Sequence, residues 1–505
     1  MLSIKSNNRN YLILIGVYFI ASLVGIFHHE IWLDESHHWL LARDSTDFAD
    51  LIQNTRYEGH PILWNILLYF ITRVTSDPMW MQLLHILIAA SAMWVFLKNT
   101  SFTLLFKILF VFGYFMFYEY NILSRNYMIG VLFLFLACSL FRQRDKKIIL
   151  LCTFLALAAN THLIFVVISF AFFLTLLLEK VFKMHSYKTS SFILGSVLFL
   201  LSVVLALFQI IPPNDSYLYG QLDDLFLADR LVTGFVSFFK ALAPISDFRT
   251  VHFWNSNLFV NLSKPITGVF CLLVYFIPIV LFNKRKVPLF FIYTALFGTQ
   301  LFFFATKLSS IRYFGMTFII FVIALWLDHY NTSPQEWKSK WLRASKKYIL
   351  YGILIIQCLA SVVAYSMDIK YSFSSGKDIT SFLEQENLLD TKIVTPFCQG
   401  TIISTDLERK VYFMCGQKEL SYCNWNSNCR RVVTDEEIID GLDTMDYIGN
   451  MIFIAKCNLI ENPKEGVWYS LTPRLRARFL KKMEEQVIRD VDYSIYEIIR
   501  TNEEE

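Results

Sequence analysis

The chain has 505 residues, of which 55% are hydrophobic, 17% are aromatic and only 17% are charged, whereas ~25% are charged in a typical soluble domain. With a mean hydropathy of +0.45, this composition excludes an ordinary soluble enzyme and indicates a polytopic membrane protein. The formal net charge is +4 and the basic residues stand in short clusters, so nothing indicates a nucleic-acid partner.

Apolar runs able to form membrane-spanning helices recur from the start of the chain to about residue 366. They predict a mostly α-helical transmembrane domain over 1-366 with about 11 to 13 spans, because several runs are shorter than the ~20 residues of a straight span. The runs are Tyr11–Phe27, Pro61–Thr75, Met79–Leu97, Phe102–Tyr118, Tyr127–Phe141, Ile148–Ala159, Leu163–Leu178, Ser191–Ile211, Leu231–Ala243, Ile266–Phe282, Val287–Phe304, Tyr313–Leu327 and Lys347–Ala364.

Basic residues near the N-terminus predict the orientation of the chain. Lys5 and Arg9 precede the first apolar run, and basic residues of short loops stay on the cytoplasmic side. No small-residue cleavage site follows this run, so we expect an uncleaved span and then an outer loop over 28-60. An odd number of spans, which we favour, would place the C-terminal region on the same outer side as this loop.

The polar C-terminal region over 371-505 alternates predicted strands with predicted helices, which is typical of a small α/β soluble domain with a largely parallel sheet. It has no GxGxxG, no Walker loop and no obvious nucleophile constellation. We therefore expect a docking or acceptor-shaping module. The predicted strands are Lys392–Phe397, Lys410–Cys415, Asn450–Lys456 and Tyr493–Ile499, and the predicted helices are Gly376–Leu389, Gly400–Leu407, Asp435–Leu442 and Pro473–Arg489.

The nine cysteines fall into two groups. Those in apolar runs are expected to behave as small core hydrophobes, and the others lie in the C-terminal region. Cys423 and Cys429 bracket the sequence NWNSN, which suits a short disulfide loop if this region faces an oxidising compartment. Free thiols are the alternative.

Adjacent carboxylates stand in the first polar segment of the chain, at Asp34 and Glu35. Beside an apolar wall, such a pair suits a general base that deprotonates an acceptor, with the neighbouring acid positioning a cation or the substrate. The alternative is that Asp34 only caps a helix that begins at Glu35.

Two adjacent histidines follow, His37 and His38. With the acids they could bind a divalent metal ion, but adjacent side chains point to different faces of a helix and no HExxH spacing is present. The neighbouring Trp39 favours interfacial anchoring instead. The metal requirement stays open.

The end of the same segment reads Glu58-Gly59-His60-Pro61, with proline at the first position of a predicted helix. Helix N-termini favour anions because their free amides and dipole point towards them. His60 could therefore contact a phosphate, and Glu58 is a further candidate residue. The alternative is that His60 is only a polar residue at the level of the lipid headgroups.

Basic and imidazole groups also stand at the ends of later apolar runs. Arg125, close to Tyr127, suits a lipid phosphate, since a guanidinium pairs bidentately with phosphate oxygens; snorkelling at a helix end is the competing interpretation. His162 lies inside an apolar segment, where a polar residue is a functional candidate. Lys307 and Arg312 form a third basic island.

The layout of these motifs over residues 1 to about 330 resembles a GT-C-fold glycosyltransferase of the protein-mannosyltransferase and aminoarabinose-transferase type. The C-terminal region resembles the family only in kind. The motifs that carry the resemblance are Leu33-Asp34-Glu35, Gly59-His60-Pro61-Ile62-Leu63-Trp64, Ser124-Arg125-Asn126-Tyr127, Asn160-Thr161-His162-Leu163 and Arg312-Tyr313-Phe314-Gly315.

The resemblance implies inverting transfer of a sugar from a polyprenyl-phosphate carrier to an acceptor glycan, lipid or protein. The reaction would take place among membrane lipids, at the outer face of a bacterial inner membrane. Asp34 would be the base, with Glu35 supporting it or a cation, and His60 and Arg125 would contact the donor phosphate. Lys307 and Arg312 are further phosphate candidates.

This sequence departs from the family at one of these positions. Histidine stands at residue 60, where lysine or arginine would be expected, so the phosphate contact would depend on pH, given an unperturbed pKa near ~6.5. No clear set of metal ligands is visible.

Three other classes of protein compete with a monosaccharide transferase. A transporter would need charged or broken helices near mid-bilayer and repeated halves, whereas the charges here gather at the ends of the runs. A non-catalytic scaffold could keep the same fold. An oligosaccharide ligase would use a lipid-linked donor but move a whole glycan.

Overall fold

The computed structural model is mostly helical and ends in a β-sheet. It describes residues 2–216, 227–282, 285–306, 308–330, 340–423, 425–426, 434–484, 486–489 and 492–501. The helices are α1 (Leu2–His28), α2 (Leu33–Asp44), α3 (Phe48–Thr55), α4 (Leu63–Thr72), α5 (Met79–Asn99), α6 (Leu104–Val111), α7 (Tyr127–Leu140), α8 (Arg144–Ala159), α9 (Leu163–Val181), α10 (Thr189–Gln209), α11 (Leu227–Leu242), α12 (Leu258–Leu262), α13 (Lys264–Val274), α14 (Ile277–Phe282), α15 (Lys286–Thr306), α16 (Ile311–His329), α17 (Lys340–Lys370), α18 (Gly376–Gln385), α19 (Gly400–Asp406) and α20 (Asp435–Asp443). The strands are β1 (Lys392–Thr395), β2 (Val411–Phe413), β3 (Lys418–Leu420), β4 (Gly449–Ala455), β5 (Trp468–Thr472), β6 (Leu475–Met483) and β7 (Tyr493–Arg500).

Nine helical stretches in the described part of the chain are long and apolar enough to cross a membrane, which is compatible with a multi-pass membrane protein. This number is lower than the 11 to 13 predicted. The run Pro61–Thr75 forms a helix of only 10 residues, and the run Phe102–Tyr118 is divided between α6 and a π-helical segment, Tyr114–Glu119. Conversely, the single stretch Tyr127–Ala159 contains both α7 and α8, which pack against each other as a helical hairpin.

Helix α16 lies in the interior of the helical bundle. Its side chains are buried without interruption from Tyr313 to Leu327. It approaches the π-helical segment so closely that a Cβ atom on Gly315 would lie 2.3 Å from the ring of Phe115. The Tyr120 hydroxyl donates to the main-chain carbonyl of Arg312 at 2.6 Å. These contacts fix the first turn of α16, which carries Arg312.

The polar segment that follows α1 is a buried helix rather than an open loop. Eight consecutive residues of α2, from Glu35 to Ala42, are buried. The helix begins at Leu33, and the Glu35 carboxylate accepts from the main-chain N–H of Trp32 at 3.2 Å. The alternative that Asp34 only caps a helix starting at Glu35 is therefore wrong, and the Asp34 side chain is available for other contacts.

The C-terminal domain is built on a seven-stranded sheet of order β3-β2-β1-β4-β7-β6-β5. The four predicted strands are confirmed as β1, β2, β4 and β7. The expectation of a largely parallel sheet is wrong, because β1 is parallel to β2 and β4 whereas the other four strand pairs are antiparallel.

The predicted helix Pro473–Arg489 is also wrong, since most of this stretch forms β6. Its Leu, Arg, Lys and Met residues favour a helix in isolation. However, buried Leu475 and Ala477 alternate with exposed Arg476, and β6 pairs with β5 on one side and β7 on the other. Strand pairing and burial of one face outweigh the helical preference.

A disulfide bond joins Cys398 to Cys423, with Cα atoms 5.0 Å apart. The expectation that Cys423 closes a short loop with Cys429 is therefore wrong, and Cys429 itself lies outside the described residues. Cys423 bonds instead to a cysteine 25 positions earlier in the chain. Two separate segments of the C-terminal domain are thereby linked covalently.

The C-terminal domain packs against the end of the bundle that carries α2. The Ser421 hydroxyl donates to the Asp44 carboxylate on α2, and the main-chain N–H of Ser374 donates to the carboxylate of Glu30 at 3.2 Å. The C-terminal domain and the segment 28–60 therefore lie at the same end of the bundle. An odd number of spans would have this result.

Candidate functional site

A cavity of about 620 Å³ lies at this end of the bundle. Its walls come from α2, from the residues that precede α4, α7 and α9, from the end of α10, from α15 and α16, and from the C-terminal domain, which contributes Trp425. The candidate residues from the sequence that line it are Asp34, His37, His38, Glu58, His60, Arg125, His162 and Arg312. Residues far apart in the chain thus converge on one site.

At the cavity wall the Asp34 carboxylate forms ion pairs with two arginines. Arg125 contacts the Oδ2 atom of Asp34 through Nη1, and Nη1 of Arg312 lies 2.7 Å from the same oxygen. The Arg125 side chain is 4% exposed and that of Arg312 is 15% exposed. Two largely buried positive charges therefore share one carboxylate, which leaves the cluster with a net positive charge.

Aromatic rings hold both guanidinium groups in place. The Trp32 ring lies 5.8 Å from the guanidinium carbon of Arg125 and 5.1 Å from that of Arg312. Tyr127 lies 5.7 Å from Arg125, and Tyr313 lies 5.0 Å from Arg312. Such faces attract cations. One Arg312 donor reaches the Tyr313 hydroxyl at 3.4 Å, but the Nε donors of both arginines have no partner among the described residues and are available to a ligand.

The two arginines also shift the pKa of Asp34. Burial by itself would raise the pKa of this carboxyl, but the charges of Arg125 and Arg312 outweigh the burial and hold the pKa well below its usual range. Asp34 is therefore ionised in the unliganded protein and a weak proton acceptor. Its basicity would increase if an anion drew the guanidinium groups away.

Three histidines face the same cavity, of which His38 and His162 are buried and His60 is half-buried. The rings of His60 and His162 are 4.4 Å apart, and those of His38 and His60 stack at 6.1 Å. Burial and the Arg125 charge lower the pKa of His60 to about 4, and burial lowers the pKa values of His38 and His162. The histidines are therefore neutral near pH 7. The expectation that His60 changes its charge near its unperturbed pKa does not fit this environment.

Several hydrogen-bond donors at the cavity are unused within the described residues. The Nδ1 atom of His162 accepts from the main-chain N–H of Ile164 at 3.1 Å, so the neutral ring carries its proton on Nε2. This Nε2 atom is buried and has no partner among the described residues, and the same holds for Nε of Arg125 and of Arg312. Buried donors are normally satisfied, so this set indicates a site for a ligand with acceptor oxygens.

An acid and an imidazole are also in contact at the cavity. The Nε2 atom of His37 lies 2.6 Å from the Glu58 carboxylate. Trp425 of the C-terminal domain places its indole nitrogen 3.2 Å from the same His37 atom. The sequence predicted His37 and Glu58 as candidate residues, but it gave no reason to expect that Trp425 of the C-terminal domain lines the same cavity.

Glu35 does not share the environment of Asp34, its neighbour in the chain. Its side chain is fully buried, and it accepts from His29 at 3.1 Å and from the main-chain N–H of Ser124 at 2.5 Å. His29 also contacts Asp368 at 2.9 Å. Burial by itself would lower the pKa of His29, but Asp368 and Glu35 together raise it to about 10. Glu35 thus anchors α2 and the Arg125 segment beside the cavity.

Sequence reasoning missed another buried acid, Glu119. It accepts from the Tyr114 hydroxyl at 3.0 Å and from the indole N–H of Trp254 at 3.1 Å. Burial raises the pKa of Glu119 to about 7. Its position at the end of a π-helical segment is a feature often found at functional sites, but an irregular turn of this kind leaves no clear mark on the sequence.

The sequence also raised Lys307 as a phosphate contact and left open a requirement for a metal ion. Lys307 lies outside the described residues. Within the part of the chain that the structure describes, no group of three His, Cys, Asp or Glu side chains is arranged to hold a metal ion.

The chain was compared with protein-family models and with curated proteins. No protein-family model matches the chain, and no curated protein matches it.

Proposed function

We propose that the protein is a membrane glycosyltransferase of the GT-C type that moves a sugar, with inversion, from a polyprenyl-phosphate carrier to an acceptor. The observation that carries the proposal is the Asp34 carboxylate held between the buried guanidinium groups of Arg125 and Arg312 at the cavity wall. An acid for proton removal and two cations for a phosphate are the groups that this reaction needs.

The charge of the cluster fits a departing lipid phosphate. Two guanidinium groups and one carboxylate carry one net positive charge, which a phosphodiester donor would neutralise. When the bond between the anomeric carbon and the phosphate oxygen breaks, the leaving polyprenyl phosphate gains negative charge. The arginines then bind the transition state more strongly than the bound donor, which is the requirement for faster chemistry.

The apolar part of the cavity fits the carrier chain. Leu163 and Ile210 line it at the ends of α9 and α10, and Phe302 and Ala305 line it from the last turns of α15. These helices are among the stretches long enough to span a membrane. A polyprenyl chain could therefore lie along the bundle while its phosphate reaches the arginines.

Asp34 would act as the general base once the donor is bound. The phosphate would attract Arg125 and Arg312, weaken their hold on the carboxylate and so increase its basicity. Asp34 would then take the proton from the acceptor hydroxyl as that oxygen attacks the anomeric carbon from the side opposite the phosphate. The neutral imidazole of His162 would donate its Nε2 hydrogen to the donor, and His60 lies beside it.

Sugar transfer from a mixed pool of labelled polyprenyl-phosphate sugars tests this proposal. The purified protein would be incubated with an acceptor-rich membrane extract, beside Asp34→Asn and a control, Asp440→Asn, which changes an exposed acid of α20 that does not line the cavity. Loss of label from the lipid with the native protein and the control, but not with Asp34→Asn, would support the proposal and identify the donor. If the native protein consumes no donor, the transferase function is rejected. Turnover by Asp34→Asn within about tenfold of the native rate would reject only its role as base.

A further inference from the structure

A second cavity, of about 430 Å³, lies where the C-terminal domain meets the helical bundle. One wall is Lys240 of α11, another is the segment between α11 and α12, which contributes His252, Trp254 and Asn255, and the third is Arg489 of the C-terminal domain. Both parts of the protein are therefore needed to form it.

The first turn of α16 and the ring of Trp254 stand between the two cavities. Arg312 and Tyr313 of this turn line the first cavity. The ring of the next residue, Phe314, lies 5.4 Å from the ammonium group of Lys240, which lines the second cavity. Trp254 lines the second cavity and lies 5.7 Å from the Arg312 guanidinium. A molecule held in the second cavity is therefore one side chain away from the Asp34–Arg312 pair.

The charged side chains that line the second cavity are basic, and the buried carboxylate of Asp247, which accepts from the lining Asn261, is itself paired with Arg249. Lys240, His252 and Arg489 are its ionisable lining residues, and no acidic side chain lines it within the described part of the chain. Lys240 is half-buried and forms no ion pair with a described carboxylate, and its ammonium group lies over the face of Phe314. A half-buried ammonium without a counter-charge is costly, so an anion entering the cavity would be stabilised.

The polar loop that lines this cavity is held in a fixed conformation. Asn255 adopts a left-handed backbone conformation, with φ at 64°. Its side-chain oxygen accepts from the Ser310 hydroxyl at 2.7 Å and from the main-chain N–H of Ile311 at 2.9 Å, at the start of α16. Strained backbone of this kind persists where surrounding contacts enforce it and is common at ligand sites. The loop therefore connects the second cavity to the helix that carries Arg312.

We propose that the second cavity is an anion-binding site for a phosphate-bearing group, and that in the transferase it holds a phosphate of the acceptor. The second half of this proposal rests on the proposed function. The donor carrier needs an apolar wall, which the first cavity has. The second cavity offers amide and hydroxyl groups around three basic side chains, which suits a phosphorylated sugar or headgroup.

Binding of defined phosphate probes to the full-length protein tests the site without any need for activity. Native mass spectrometry would count bound phosphatidic acid, a phosphomonoester lipid, and diacylglycerol, its counterpart without the phosphate. The variant Lys240→Gln combined with Arg489→Gln should lower the apparent affinity for phosphatidic acid by about tenfold or more, because it removes two cations that can donate charge-assisted hydrogen bonds to the phosphate. Lys264→Gln, which removes an exposed lysine outside the cavity, should bind as the native protein does.

The further arms of the experiment separate the sources of the phosphate and the two proposals. Competition by inorganic phosphate would indicate a site for soluble phosphorylated molecules, and its failure to compete would indicate a lipid headgroup. Unchanged phosphatidic acid binding by the double variant would overturn the anion site. If the double variant loses phosphatidic acid binding but the native protein never consumes a donor sugar, the anion site stands and the transferase function fails. If sugar is transferred and the double variant keeps the native KM for its acceptor, the acceptor assignment fails.

Discussion

The Asp34 carboxylate lies 2.7 Å from the Arg312 guanidinium, although Asp34 stands in the first turn of α2 and Arg312 in the first turn of α16. The same Asp34 oxygen also contacts Arg125. One short helix near the start of the chain is thereby connected to an interior helix of the bundle through a single carboxylate, and this connection has consequences for both stability and binding.

Replacement of Asp34 by asparagine should destabilise the unliganded protein. Two largely buried guanidinium groups would lose their counter-charge, and breaking one partner of a buried ion pair costs about 3–5 kcal/mol. A thermal unfolding scan in detergent should show a lower Tm for Asp34→Asn than for the control Asp440→Asn, which changes an exposed acid of α20. Polyprenyl phosphate should then raise the Tm of Asp34→Asn more than that of the native protein, because the phosphate replaces the missing carboxylate. Equal Tm values for the two variants would show that the ion pairs contribute little.

Replacement of Arg125 should affect donor binding in a graded way. Arg125→Lys keeps the charge but loses the planar pair of donors, so we expect a moderate loss of affinity. Arg125→Ala should lose about tenfold or more, because a hydrogen bond to a charged group contributes about 1.5–3 kcal/mol. Equilibrium binding of a polyprenyl-phosphate sugar measures this order. Arg285→Ala, which removes an arginine paired with Asp328 outside the cavity, is the control. Equal losses for the two Arg125 variants would point to packing instead.

Donor affinity should be nearly independent of pH from about 5.5 to 8 as far as His60 is concerned. The pKa of His60 is lowered to about 4 by burial and by Arg125, so the ring is neutral over this range. Affinity should increase only as the pH falls towards 4, where the ring gains a positive charge. Dissociation constants measured across this range for the native protein and for His60→Gln check the prediction. A step near pH 6.5 that disappears in His60→Gln would contradict it.

The His29 cluster should make the protein less stable at high pH. The pKa of His29 is raised to about 10 in the folded state by Asp368 and Glu35, against the effect of burial. A raised pKa means that the folded state holds the proton more tightly. The stabilisation is therefore complete below the unfolded pKa of about 6.5 and is lost as the pH rises through about 10. The Tm of the native protein should fall between pH 7 and 10 more steeply than that of His29→Gln. Parallel slopes would show that His29 does not carry the effect.

The sequence was sufficient to mark most of the candidate site. Asp34, Arg125 and Arg312 were recognisable because polar side chains in an otherwise apolar chain gather at the ends of apolar runs, and the structure brings these three together. Neighbouring residues on a helix point in different directions, so only one of the acids Asp34 and Glu35 is expected to face the cavity. The sequence does not show which one. Only the packing of α2 shows that Glu35 faces His29.

The failures of sequence reasoning have a common physical origin, which is dependence on partners distant in the chain. The stretch that forms β6 has helical preferences, and only its pairing with β5 and β7 makes it a strand. Cys423 stands close to Cys429 in sequence, yet it bonds to Cys398. Trp425 has no motif of its own and reaches the cavity only because the C-terminal domain packs against α2.

The Cys398–Cys423 disulfide gives the site a requirement for covalent maturation. Cys423 stands two positions before Trp425, the residue through which the C-terminal domain reaches the cavity, so the bond limits how far Trp425 can move from His37. A newly made chain whose cysteines are still reduced would have its helices and its Asp34 cluster but would hold Trp425 less firmly. The finished form of the cavity would then be reached only after the C-terminal domain has met an oxidant, which couples the site to the redox state of the compartment that the domain enters.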